Sequence, residues 1–280
     1  MATVGSTAAG SWGRSSGTAR GRLTPMSGLG LGVGVLWLSL LVGLPIAAIV
    51  VTSFGRGPAT FWQEVTRPEA LAALRLTVGA ALLGTGVNAV MGTLVAWVLV
   101  RDRFRGRRLL EVVIDVPFAL PTIVAGLVLI SLYGPHSPLG IDLVGTRRGV
   151  FVALLFVTLP FVVRSVQPVL IDLDTDVEEA AASLGAGGFT IFRRVVLPAI
   201  SPAVLAGSAL AFARALGEYG SVVLISAGVG RTQVASSYVL QRIEEGDPVA
   251  AAAVATLLLA VAVVVLVVLD VLQRVVARRG

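Results

Sequence analysis

Between Val249 and Leu269 every residue except Thr256 is Ala, Val or Leu. That run exceeds the ~18 apolar residues that separate a membrane span from a buried core helix. In hydrocarbon, a single crossing segment can satisfy its own backbone only as a helix. Comparable stretches recur, and six spans are expected, at Leu29–Val51, Leu74–Val100, Val112–Leu132, Gly149–Val169, Pro202–Ala227 and Val249–Val271. Charged residues make up 14% of the chain, against roughly 25% in a soluble domain. The sequence therefore predicts an all-α polytopic membrane protein with one membrane domain, residues 29–275.

The flanks are read differently. Residues up to 24 are Gly, Ser, Thr, Ala and Arg with little apolar content, so residues 1–28 are expected to be a disordered tail. Residues 276–280 form a second short tail. The first apolar segment is too long for a signal-peptide core and lacks a cleavage site, so it reads as a retained span. The net charge is +6, all of the basic residues being Arg. They flank apolar segments instead of clustering on a soluble face, which points to topology and against nucleic acid. There is no Cys, which excludes disulfides, zinc-thiolate sites and thiol catalysis.

The arginines also orient the chain. Arg101, Arg103, Arg105, Arg107 and Arg108 crowd the link between spans two and three. Arg193 and Arg194 lie in a polar loop at 172–198, and Arg274, Arg278 and Arg279 follow span six. With six spans these regions share one side with the tail that carries Arg14, Arg20 and Arg22. Both termini and the 172–198 loop are expected in the cytoplasm, at the plasma (inner) membrane.

That loop carries the most specific pattern. Asp172, Asp174, Asp176, Glu178 and Glu179 precede Ala180-Ala181-Ala182-Ser183-Leu184. Acidic residues followed by good helix formers predict a short helix, and Gly185 is placed to close it in the left-handed conformation. Phe189, Ile191 and Phe192 give the next stretch an apolar face, which Pro198 is expected to end. A calcium loop fails, because Val177 and Ser183 stand where an EF-hand needs Gly and Glu. Gly28, Gly30, Gly32 and Gly34 lack the context of a dinucleotide fingerprint and predict close helix packing.

The spacing of Glu179-Ala180-Ala181, Gly185 and Leu197-Pro198 resembles the coupling loop of ATP-binding-cassette import permeases. Further segments are similar to the T-type subunit of the sulfate/thiosulfate branch. They are Asp115–Thr122, Leu159–Pro168 and Leu216–Val222, with Val95–Arg101 at the exit of span two. Tyr219 with Ser221 favours sulfate over molybdate or tungstate. Ala227-Gly228 departs from the Gly-Asn that relatives often have there. The resemblance implies the six-helix type I ABC importer permease fold. It implies Glu179, Ala180, Ala181, Gly185, Leu197 and Pro198 as the ATPase contact. It also implies two ATPase subunits that bind the ATP, a second, W-type permease subunit and an extracytoplasmic sulfate-binding protein.

Polar residues inside spans are costly, at ~2.5–3.5 kcal/mol each, and usually face the bundle interior or water. Arg214 and Glu218, at i and i+4, can pair on one helix face, as a structural pin or as part of a pathway or gate with Tyr219 and Ser221. Arg164 is expected to snorkel, Asp115 to cap backbone freed by Pro117, and Asn88 to bond between helices. His136, in a loop, is assigned no role. Self-sufficient transport predicts internal repeats and interrupted helices, and no repeat is evident. With one His, no Cys and no carboxylate cluster inside a span, an intramembrane enzyme has few candidate groups. The chain also lacks a phosphate-binding G-x-x-x-x-G-K-[ST] loop of its own.

Overall fold

The computed structural model describes residues 25–226 and 230–278. The expectations placed on residues 1–24, Ala227-Gly228 and Arg279 lie outside the described residues. Among the described residues every regular element is a helix. Membrane-length helices are α1 (Gly28–Ser53, its first turn beginning at Pro25), α3 (Pro68–Arg101), α6 (Arg147–Asp172), α8 (Gly188–Leu216) and α11 (Pro248–Ala277). Shorter helices are α2 (Pro58–Thr66), α4 (Arg107–Ala119), α5 (Thr122–Tyr133), α7 (Thr175–Ser183), α9 (Gly220–Ser226) and α10 (Ala235–Glu244). The chain divides into two units at Ala47–Ala48.

The first unit holds most of α1. Helix already begins at Pro25, ahead of the span expected from Leu29. Within this unit no atom lies within 4 Å of a Cβ built on Gly28, Gly30, Gly32 or Gly34. The close glycine packing expected there is not made within the unit.

The second unit is built on α3, α6 and α8. A Cβ on Gly92 would lie 2.9 Å from Val162 Cβ, and one on Gly207 would lie 2.9 Å from Val162 Cα. Small residues thus let three backbones approach, as in other membrane bundles where apolar burial gives little drive. Asn88 Nδ2 donates across this interface to Leu155 O at 3.0 Å and Thr158 Oγ1 at 2.8 Å, the interhelical role expected of it. Around these helices Phe212, Leu154, Val150 and Ile225 form one fully buried cluster, and Leu99, Val166, Leu170 and Ile200 another.

Two spans depart from the straight segments that hydropathy suggests. The third is broken: α4 and α5 meet at 120°. The cause is Pro121, because a residue before proline is driven out of the helical region, and Leu120 is extended at φ −81°, ψ 134°. The fifth span also breaks, after Leu216, and resumes as α9. At its other end Pro198 does not end a helix. α8 runs unbroken from Gly188 to Leu216. A widened π turn at Phe192–Val196, with Leu197 N donating to Phe192 O, adjusts the backbone ladder just before the proline, which cannot donate.

A loop helix clamped to a span, and a buried carboxylate at a helix break

The polar loop folds as its residues dictate. Asp174 caps α7, its carboxylate accepting from Asp176 N at 2.9 Å. Asp176 and Glu178 occupy the first turn, where the helix dipole favours negative charge. At the other end Gly185 has φ +85°. Gly185 N donates to Ala182 O at 2.9 Å and Ala186 N to Ala181 O at 3.1 Å. This pair of bonds is the Schellman closure, which needs a residue with positive φ after the helix. Glu179, Ala180, Leu197 and Pro198 are exposed and Ala181 is half-buried. Leu184 is 90% exposed and Phe189 77%. A polar helix flanked by two bare apolar side chains presents the kind of surface that a partner covers.

The loop is not free to drift. Glu178 forms an ion pair with Arg101, the last residue of α3. Arg101 also lies over the Trp97 ring at 5.8 Å, and Trp97 packs edge-on against Phe192 of α8 at 5.4 Å. One end of a membrane helix is thereby joined to both arms of the loop. Sequence reasoning singled out Glu179, but the residue that anchors α7 is its neighbour Glu178. Arg101 and Glu178 stand 77 positions apart, and no local pattern links them.

The second polar site lies at the break between α8 and α9. The Glu218 carboxylate is almost fully buried and pairs with Arg214, whose side chain is 29% exposed. Glu218 Oε1 also accepts from Ser221 N at 2.8 Å and Ser221 Oγ at 2.7 Å. Ser221, named as a candidate pathway or gate residue, is fully buried, and its hydroxyl and amide are both committed to Glu218. Tyr219, at the break itself, is 36% exposed. Ser236 Oγ donates to Glu218 O at 2.8 Å and joins α10 to the break. Here α9 lies hard against α5: a Cβ on Gly220 would meet Thr122 Oγ1 at 2.2 Å, and one on Gly126 would meet Ser221 O at 3.0 Å. The two half-helices that follow the two breaks thus pack on each other.

Arg164 does not simply snorkel. Its guanidinium forks onto Asp115, with Nε to Oδ1 at 2.8 Å and Nη2 to Oδ2, while Nη1 donates to Gln167 Oε1 at 2.8 Å. Asp115 therefore acts as a bidentate partner instead of capping backbone, and it ties α4 to α6. His136 is exposed.

A bundle of membrane-length helices carrying an exposed, anchored loop helix has the architecture of a transport permease. Residues 88–279 match the family described as Binding-protein-dependent transport system inner membrane component, and the chain belongs to that family. It is 46% identical over 250 residues to the sulfate transport system permease protein CysT of Synechocystis sp., covering 86% of this chain and 87% of that one. To the CysT of Salmonella typhimurium it is 42% identical over 266 residues, covering 92% and 96%. In fold it is similar to a chain of a bacterial alginate ABC transporter, with TM-score 0.74 and 15% identity over 89% of this chain and 94% of that one. The MetNI methionine ABC transporter is similar at TM-score 0.60 and 18% identity, over 74% and 95%.

Proposed function

We propose that this chain is the transmembrane permease subunit of an ATP-driven importer of sulfate or thiosulfate. The observation that carries the reading is the α7 loop: a helix closed by Gly185, joined to α3 through Glu178 and Arg101, with Leu184 and Phe189 bare beside it. The identity to sulfate permeases, over nearly the whole of both chains, supports the substrate.

In this reading both termini and the 172–198 loop are cytoplasmic. The loop seats in a groove on one of two ATPase subunits, which bind the ATP; the chain holds no cofactor and no catalytic site of its own. A second, W-type permease completes the pathway, and an extracytoplasmic sulfate-binding protein delivers the anion. The chain then alternates between outward-open and inward-open states, biased by differential contact of the ATPases with α7. Energy is required because the inside-negative potential opposes entry by ~2.3 kcal/mol per charge per 100 mV. Arg214 and Glu218 hold the break after α8, where Tyr219 is the residue that can face the pathway, while Ser221 serves it by capping.

Deleting the gene is expected to abolish growth on sulfate as sole sulfur source, with cysteine restoring it. Sulfate uptake that persists in the deletion strain while molybdate uptake is lost would move the substrate to molybdate.

A further inference from the structure

At the end of the bundle away from the α7 loop, a cavity of about 590 Å³ opens between α3 and α6. Arg75, Arg147 and Arg148 stand around it, and Leu76, Gly79 and Phe151 contribute to its floor. No carboxylate lines it. Arg75 is exposed on an otherwise apolar stretch of a membrane-length helix. Among the described residues neither Arg75 nor Arg148 makes an ion pair.

The cavity does not end in protein. Leu83, which also lines it, begins a second, almost wholly apolar trough of about 430 Å³ with Gly86, Val87, Val90 and Met91. Positions 75, 76, 79, 83, 86, 87 and 90 recur every three or four residues and so form one continuous stripe of α3. From Leu76 to Val87 the helix rises ~16 Å, close to the ~15 Å depth of one leaflet. A hydrated inorganic dianion would match the arginines but would leave the trough unused. An anionic phospholipid matches both parts, because guanidinium groups fork onto phosphate oxygens and an acyl chain needs apolar surface one leaflet deep.

We propose that this face is a binding site for an anionic phospholipid, with its phosphate among Arg75, Arg147 and Arg148 and an acyl chain along the α3 stripe from Leu76 to Val87. Planar guanidinium groups that fork onto phosphate oxygens make Arg the side chain suited to such a headgroup. The site needs only that the chain spans a membrane, not that it carries sulfate.

The test uses the permease complex purified with its partner subunits, delipidated in detergent and titrated with dioleoyl-phosphatidylglycerol. Dioleoyl-phosphatidylcholine, glycerol phosphate and sodium sulfate serve as comparisons, and retained lipid is read by native mass spectrometry. The wild-type complex is expected to retain phosphatidylglycerol over phosphatidylcholine. Arg75→Gln with Arg148→Gln should weaken that retention about 25-fold, roughly fivefold per arginine, without changing the melting temperature of the lipid-free complex. Gly86→Phe, at a position where a Cβ meets nothing within 4 Å, should block the trough and weaken retention of the lipid. Equal retention by the double arginine variant, or equal retention of both lipids, would overturn the proposal. Glycerol phosphate or sulfate binding as tightly as the lipid would reduce the site to a bare anion site and overturn it too. So would a photo-crosslink from position 83 that ends on the second permease instead of on lipid.

Discussion

Glu218 is the residue whose environment most constrains its chemistry. Its carboxylate is buried, paired with Arg214, and bonded to the hydroxyl and amide of Ser221. Removing one member of a buried pair costs ~3–5 kcal/mol, because the other charge is left uncompensated. Arg214→Ala is therefore expected to deplete folded protein strongly, since it leaves the buried Glu218 carboxylate without a counter-charge, whereas Glu218→Ala leaves a partly exposed Arg214 and costs chiefly the two bonds to Ser221. The double alanine variant should recover only part of the loss, because the Ser221 cap stays absent. Yield of monodisperse protein from membranes measures this. If Glu218→Ala leaves the yield intact and abolishes uptake, with no rescue by Arg214→Ala, the pair gates the pathway instead of pinning the break. The i, i+4 spacing made the Arg214 contact legible in advance. The Ser221 bonds were not legible, because they depend on the chain leaving the helix at Gly217.

At the scale of elements, α7 matters through what holds it. The Arg101–Glu178 pair is mostly buried on both sides and is backed by Trp97 and Phe192. Reversing either charge, by Arg101→Glu or Glu178→Arg, should uncouple the loop from α3 and reduce uptake several-fold. The swapped pair should restore part of it, though not the contact of Arg101 with the Trp97 ring. Uptake unchanged in both single variants would mean that the anchor is dispensable. The six apolar segments were legible because hydropathy and length alone define a span, and α7 was legible because its caps are local. The breaks were harder. Hydropathy averages over Leu120-Pro121, whose neighbours are as apolar as the helices on either side, although the proline rule marks it, and over Gly217, where the charges of Arg214 and Glu218 read as a pair on one continuous helix. The extension of α8 back to Gly188 was hidden by Arg193 and Arg194, which look like loop. Contacts between residues distant in the chain, such as Arg101–Glu178 and Arg164–Asp115, leave no periodic trace.

For the whole molecule, the geometry joins the loop to the bundle through few, named connections. α7 meets the end of α3, α3 packs on α6 and α8 through Gly92, Val162 and Gly207, and α8 leads to the break at Glu218. A push on the loop has a path of packed backbone to the place where the fifth span opens. If ATPase subunits drive this permease through α7, as proposed, Gly185 is the position at which that drive is most directly broken. A β-branched residue adopts a left-handed conformation only at ~1–2 kcal/mol, and a Cβ at Gly185 meets nothing within 4 Å, so Gly185→Val disturbs the closure of α7 without a clash in the bundle. The decisive measurement is ATP-dependent uptake of labelled sulfate by vesicles holding the reconstituted complex, wild type beside Gly185→Val. Accumulation by the wild type is expected. None is expected by the variant, whose chain inserts normally but no longer retains the ATPase subunits. Accumulation at the wild-type rate by Gly185→Val, with its ATPases still bound, would contradict the proposed drive through α7.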